Sequence, residues 1–96
     1  MPAIARIGDT FEGYCNIHDV YVTGEIIEGS ENTFGNTEKI ARVGDLVLGN
    51  CGHTSVIMSG SPDVFVNTIA VARVGDAVDG NITGTIITGS PDIFVN

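Results

Sequence analysis

The sequence has little positive charge, no tryptophan and few aromatic residues of any kind. Four Lys and Arg residues stand against twelve Asp and Glu residues, which gives a formal net charge of −8 at pH 7. A nucleic-acid-binding protein needs a basic surface for the phosphates, so we expect no nucleic acid among the partners. With four Phe and two Tyr in 96 residues, the core has to be built mainly from Val, Ile, Leu and Ala.

The sequence also lacks long apolar runs and a secretory leader. No segment approaches the ~20 apolar residues of a transmembrane helix. Residues 1–6 show no basic stretch followed by an apolar one, so we expect no signal peptide. The chain has only two Cys residues, and in a protein made in the cytosol they favour a metal site over a disulfide framework.

One unit occurs three times in the chain. The pentapeptide Ala-Arg-(Ile/Val)-Gly-Asp is found at residues 5–9, 41–45 and 72–76. After a segment of variable length, each copy is followed by a Gly-Ser turn, at residues 29–30, 60–61 and 89–90. Three copies in so short a chain predict one pseudo-threefold body, whose shape suits a partner with true threefold symmetry.

Short β-branched runs between turns predict an all-β fold. Residues 56–58, 64–66 and 93–95 are such runs, and Pro62 and Pro91 suit the second position of a tight turn. No segment shows a sustained helical period, so we expect little or no helix and a single domain over residues 1–96. The three Arg residues of the pentapeptides each precede an Asp by three positions, a spacing that favours structural hydrogen bonds at strand ends.

Both Cys and both His residues lie in the variable segments. The first repeat carries Cys15 and His18, and the second carries Cys51 and His53 at the equivalent place. Counted from the Gly-Asp landmark, the third repeat has Ile82 there and no ligand. Two Cys and two His form a complete tetrahedral ligand set, so we expect these four residues to bind one metal ion.

Three other interpretations of these four residues remain open. The Cys residues could be buried and the His residues exposed without being neighbours. Cys15 and Cys51 could form a disulfide. A Cys nucleophile could also pair with a His base in a small hydrolase, although no oxyanion motif accompanies the pair.

The repeated Ala-Arg-Val-Gly-Asp, followed by Gly-Ser and then Val-Phe-Val-Asn, resembles the PAAR-repeat family over essentially the whole chain. Members cap the membrane-piercing spike of contractile phage tails and of the bacterial type VI secretion system. The resemblance implies a short conical β-prism of three pseudo-threefold repeats with a metal-stabilised apex. By motif position the metal, zinc with iron as the alternative, would be bound by Cys15, His18, Cys51 and His53.

The resemblance also implies partners and a location. The partner would be a trimeric β-helical spike that receives one copy per trimer, and the target-cell membrane would be touched transiently on piercing. The protein would lie at the tail tip or baseplate of a virion, or in the cytoplasm before delivery by type VI secretion. It would be no enzyme. The rival interpretation is a free-standing small metal-binding interaction module.

The sequence departs from the family pattern in three places. The eponymous Pro-Ala-Ala-Arg appears only loosely, at residues 2–6. The common ligand set has three His and one Cys, with a Cys in the third repeat, where this chain has Ile82. No toxin or adaptor domain accompanies the repeats, which fits a phage particle or a bare secretion tip better than a fused effector.

Overall fold

A computed structural model describes all 96 residues, which form β-strands and turns without a helix. The strands are β1 (Thr10–Cys15), β2 (Val20–Ile26), β3 (Phe34–Gly35), β4 (Glu38–Lys39), β5 (Leu46–Gly49), β6 (Thr54–Ile57), β7 (Phe65–Val66), β8 (Ile69–Ala70), β9 (Ala77–Gly80) and β10 (Ile82–Ile86). The all-β prediction is confirmed. The structure contains no helix with the length and apolar character that a membrane crossing requires.

Each repeat contributes one hairpin to a closed six-stranded barrel. The strand order is β1-β10-β9-β6-β5-β2, and every neighbouring pair is antiparallel. The hairpins β1–β2, β5–β6 and β9–β10 turn back at residues 16–19, at residues 50–53 and at Asn81. Because the first strands of the three hairpins run the same way, these turns gather at one end of the barrel, which we call the tip end.

The three alanines of the pentapeptides form a closed ring of backbone hydrogen bonds. The amide of Ala5 donates to the carbonyl of Ala72 (2.9 Å), Ala72 donates to Ala41 (2.9 Å), and Ala41 donates to Ala5 (3.0 Å). All three side chains are fully buried. The body measures 34 × 23 × 22 Å, and two nearly equal short dimensions are expected when a threefold axis runs along the length. The predicted pseudo-threefold arrangement is confirmed.

The pentapeptide is conserved among the repeats because it builds a specific turn. The amide of Asp9 donates to the carbonyl of Arg6 (3.0 Å), and Gly8 in the third position of this turn has a φ of 91°. That position of a type II turn needs a positive φ, which glycine adopts without steric cost. The Asp9 carboxylate then accepts hydrogen bonds from the backbone amide (2.8 Å) and guanidinium (3.0 Å) of Arg6. The other two repeats make the same turn and the same Arg–Asp pair.

The core is stacked in layers that each draw one residue from every repeat. Above the alanine ring, toward the tip end, lie two fully or almost fully buried layers: Ile26, Ile57 and Ile86, then Phe11, Val47 and Val78. On the other side of the ring, a separate cluster consists of Ile4, Ile40 and Val71. Burial of this aliphatic surface is the main favourable contribution to folding that the composition allows.

Small residues face each other where neighbouring hairpins join. Each junction pairs two of them: Gly84 with Gly13, Gly24 with Gly49, and Ser55 with Gly80. A Cβ atom on Gly84 would lie 2.0 Å from the carbonyl oxygen of Glu12, which belongs to the facing strand. At the two Gly–Gly junctions the strands therefore approach more closely than a side chain on Gly84 or Gly24 would allow.

The end opposite the tip, which we call the base, has three corners. Two of them are the short hairpins β3–β4 and β7–β8. The third corner is made from the two ends of the described chain, where the amide of Val95 donates to the carbonyl of Pro2 (3.0 Å) and Ala3 forms a bridge with Phe94. The threefold body is thus closed without a covalent turn at one corner.

Alanine at Gly84 should destabilise the fold strongly, because its Cβ would overlap the facing backbone. We expect the free energy of unfolding, measured by urea denaturation, to fall by about 3 kcal/mol. Gly44→Ala is the matched control, since nothing lies within 4 Å of its Cβ and only the positive φ opposes the change. That variant should lose about 1 to 2 kcal/mol. Equal losses in the two variants would show that strand approach at the junction does not matter.

Candidate metal centre at the hairpin tips

Two hairpin turns bring the four predicted residues together at the tip end. Cys15 is the last residue of β1 and His18 lies in the turn that follows it, whereas Cys51 and His53 lie in the turn between β5 and β6. One potential ligand atom from each residue lies within 4.8 Å of the others. Cys15 is buried, Cys51 and His53 are half-buried, and His18 is exposed.

The spacing of these atoms matches the edges of a small tetrahedron. The Sγ atom of Cys15 lies 3.7 Å from Nδ1 of His18 and 3.5 Å from Nδ1 of His53. With Zn–S bonds near 2.3 Å and Zn–N bonds near 2.0 Å, a tetrahedral site has S–N edges of about 3.6 Å. The donor set therefore fits an ion of this size and ligand preference, and the Cys2His2 cluster indicates metal binding.

The first tip turn is held by bonds that involve none of the four side chains. The amide of Asp19 donates to the carbonyl of Cys15 (2.7 Å), and the amide of Asn16 donates to the carbonyl of Asn81 in the third hairpin (2.8 Å). The hydroxyl of Tyr14 also donates to the carboxylate of Asp19. These contacts hold the backbone of the turn that carries His18 and fix it against the third hairpin.

The surroundings of Cys15 favour its thiolate form. Burial by itself raises the pKa of this thiol, but hydrogen bonds from the backbone amide of His18, from the Cys51 thiol and from the backbone amide of Ile17 lower it. The result is a pKa below the ordinary value for cysteine. Because the thiolate is the form that binds metals, the fold prepares Cys15 as a ligand.

The third hairpin contributes packing instead of a ligand. Counting from the landmark predicts Ile82 in a tip loop, but the third turn consists of Asn81 alone, so Ile82 already begins β10 and pairs with Cys15. Ile82 is fully buried. A Cβ on Gly49 would lie 2.5 Å from Cδ1 of Ile82 and 3.3 Å from Sγ of Cys51. Gly49, which the sequence analysis did not single out, thus leaves room for both residues.

The structure agrees with neither a disulfide nor a scattered arrangement of the Cys and His residues. Both Cys residues are free thiols, so the structure contains no Cys15–Cys51 disulfide. The four side chains are neighbours, which excludes the scattered arrangement. The Cys15 thiol contacts two His rings that lie 4.7 Å apart between centroids, an arrangement suited to sharing one ion among all four groups.

The lowered pKa of Cys15 predicts a pH-dependent stability in protein freed of metal with a chelator. A depressed thiol pKa stabilises the fold fully above the pKa of an unfolded thiol, about 8.5, and this contribution is lost as the pH falls through the lower folded pKa. The urea concentration at the midpoint of unfolding should therefore increase as the pH is raised toward about 8.5. Cys15→Ser should flatten that rise, and an identical profile in both proteins would contradict the assignment.

Comparison with known proteins agrees with this geometry. A family model for the PAAR motif matches residues 18–80, which is more than half of the chain. No curated protein shows significant sequence similarity to it. The PAAR motif is associated with the spike tips of contractile injection systems, in structural rather than enzymatic proteins. The match covers the second pentapeptide, the second tip turn and three of the four clustered Cys and His residues, and on this basis the chain belongs to the PAAR-motif family.

Proposed function

We propose that this protein is the structural tip that caps and sharpens the trimeric β-helical, membrane-piercing spike of a contractile injection machine. The observation that carries the proposal is a base with three equivalent exposed phenylalanines on a pseudo-threefold body. Family membership supports the association with a spike, and the geometry of the base supports the manner of docking.

The base presents one aromatic ring from each repeat. Phe34, Phe65 and Phe94 occupy the same position after the three Gly-Ser turns, and their exposed fractions are 54%, 56% and 49%. Half-buried aliphatic residues surround them and pack on the cluster beneath the alanine ring: Val64, Val66, Ile93 and Val95. Covering such aromatic surface is strongly favourable, so a partner is expected at this end.

Unpaired strand edges support the same partner. β3 pairs only with β4, and β7 pairs only with β8, so each short hairpin keeps one edge of free backbone groups. A spike built of β-strands ends in edges of the same kind, and strand addition would satisfy both sets. Three corners on one tip match three chains in one spike, which supports one copy per trimer.

We propose that Cys15, His18, Cys51 and His53 together hold one zinc ion, with iron as the alternative. Mixed sulfur and nitrogen ligands favour zinc. When bound, the ion would cross-link the first two hairpins at the tip end, while Ile82 packs the third against them. Four protein ligands complete a tetrahedral shell and leave no position for substrate, so we assign the protein a structural role and no catalysis.

A structural spike tip also has an expected extent, location and set of contacts. Residues 1–96 act as one domain, and the tip end meets the target membrane transiently during piercing. The protein lies at the tail tip or baseplate of a virion, or in the cytoplasm before delivery by type VI secretion. The net charge of −8 argues against a nucleic-acid partner. A free-standing metal-binding module would share the metal centre but form no complex with a spike.

Removing one proposed ligand should abolish metal binding. Elemental analysis of the purified protein should give one ion per chain, and Cys51→Ser should give none. The variant should also melt at a markedly lower temperature, because metal binding in so small a domain contributes to the folding free energy. Ile82→Val is the control, since it should cost about 1 kcal/mol and keep the ion. A purified wild-type protein that contains no metal, or whose melting temperature stays the same when a chelator removes the metal, would refute the site.

The mass of the complex between the tip and the spike protein encoded in the same genome should correspond to one tip per three spike chains. Phe65→Asp should weaken the complex at least about tenfold, because it places a charge in a desolvated apolar contact. Tyr21→Asp makes the same kind of change at the tip end, where Tyr21 is exposed, and should leave affinity within about twofold of wild type. Three tips per trimer would overturn the symmetry argument, and no complex would favour the free-standing module.

A further inference from the structure

Two of the three base corners carry an asparagine in the left-handed backbone conformation. Asn36 and Asn67 each begin the two-residue turn of a short hairpin, β3–β4 in the first case and β7–β8 in the second, and each has a φ of 54°. The residues that follow them, Thr37 and Thr68, have a positive φ as well. Two-residue hairpin turns require this conformation, and Asn adopts it more readily than most residues. We call these two residues, together with Asn96 at the same position of the third repeat, the corner asparagines.

The first corner asparagine is held by three side chains. Oδ1 of Asn36 accepts hydrogen bonds from the hydroxyl of Ser90 (2.5 Å) and from Nη1 of Arg6 (3.1 Å). Its Nδ2 donates to the carboxylate of Asp92 (2.8 Å). Two donors and one acceptor are the complement of a primary carboxamide, and we call such a set of three side chains a clamp.

The second corner asparagine is held by an equivalent clamp. Oδ1 of Asn67 accepts hydrogen bonds from the hydroxyl of Ser30 (2.6 Å) and from Nη1 of Arg42 (3.2 Å). Its Nδ2 donates to Oδ1 of Asn32 (3.0 Å), which takes the place of Asp92. In both clamps the serine comes from the Gly-Ser turn of a neighbouring repeat, so the clamps join the repeats at the base.

The same three groups recur a third time, in Ser61, Asp63 and Arg73. The hydroxyl oxygen of Ser61 accepts hydrogen bonds from the backbone amides of Asp63 (3.1 Å) and Val64 (3.0 Å), as the other two clamp serines do from their own turns. Its proton has no acceptor, although Ser61 is only 2% exposed, and Nη1 of Arg73 has none either. Buried polar groups are normally paired, so an acceptor is expected beside Ser61.

The groups of this third clamp lie close together. Nη2 of Arg73 donates to the carbonyl of Gly60, the residue before Ser61 (3.2 Å). The pKa of Arg73 is raised above its ordinary value, mainly by its hydrogen bond to Asp76 and to a smaller extent by the charges of Asp76 and Asp63. The carboxylate of the first clamp acts on its arginine in the same way. The Asp63 carboxylate therefore lies near the guanidinium, as the first clamp requires.

Asn96 lies where a corner asparagine is expected. The amide of Ile4 donates to the carbonyl of Ile93 (2.9 Å), and the amide of Val95 donates to that of Pro2 (3.0 Å). The first of these bonds has counterparts at both other corners, of 3.0 and 3.1 Å, so the strand that leads to Asn96 has the register of the two short hairpins. The difference is confined to Asn96 itself, which is exposed and has no positive φ in this structure.

We infer that the third clamp is a binding site for a primary carboxamide and that the side chain of Asn96 is its ligand. Asn96 enters the site when its backbone turns into the left-handed region, which closes the third corner of the base. The turn costs little, because Asn is several-fold enriched in this conformation, and it gives the buried Ser61 hydroxyl an acceptor. Closing also makes the three corners equivalent for a threefold partner. That consequence rests on the proposed spike complex, whereas the site itself does not.

A double-mutant cycle on the free protein tests the site. Ser61→Ala and Asn96→Ala should each lower the melting temperature, and the double variant should lose at least about 2 °C less than the sum, because both changes remove the same hydrogen bond. The matched cycle combines Ser90→Ala with Asn36→Ala, a pair that is hydrogen-bonded in this structure. Coupling in the matched pair with additive losses for Ser61 and Asn96 would overturn the inference.

The side-chain amide signals of Asn96 give a second measurement. In ¹H–¹⁵N NMR spectra they should lie away from the positions of exposed asparagines and exchange slowly with water, and Ser61→Ala should reverse both effects. Asn67 is the internal control, because its clamp serine is Ser30 and its signals should not move in this variant. Signals typical of an exposed carboxamide for Asn96 in the wild type would overturn the inference, whether or not the protein binds a spike.

Discussion

The ring of hydrogen bonds among Ala5, Ala41 and Ala72 is the constraint from which the rest of the structure follows. Three backbone segments meet around one axis, and each donates to one neighbour and accepts from the other. Side chains on the axis must be small, and the turn that follows must redirect the chain into the barrel wall. The pentapeptide meets both needs, with alanine on the axis and a Gly-Asp turn beside it.

This ring separates two ends of the molecule that differ in how closely they follow the threefold symmetry. Toward the base, the repeats stay alike, because three equivalent corners face outward with equivalent aromatic residues. Toward the tip end, the hairpins differ in length and content, since two carry Cys and His and the third carries Ile82. The converging ligands of two hairpins and the packed isoleucine of the third replace the symmetric layers found lower down.

The sequence predicts those features of the fold and site that depend on spacing along the chain, and not those that depend on contacts between strands. The hydrogen bonds between Arg6 and Asp9 and the grouping of Cys15 with Cys51 follow from spacing within and between repeats. The position of Ile82 does not, because the length of the third turn decides whether that residue lies in a loop or on a strand. The Gly84–Gly13 pair depends on cross-strand register, which spacing along the chain leaves open. Likewise, the Val-Phe-Val alternation shows that Phe65 and its neighbours face opposite sides, but only the fold shows that Phe65 faces out.

The coexistence of a threefold base with a two-hairpin metal cluster has a consequence for any partner with true threefold symmetry. Rotations of 120° about the axis present nearly the same base, so one tip can dock in three orientations that differ only in where the Cys and His residues point. This degeneracy contributes about 0.65 kcal/mol, RT ln 3, to the binding free energy. In any image averaged over the threefold axis, the cluster would appear at three sites with one third of its density at each.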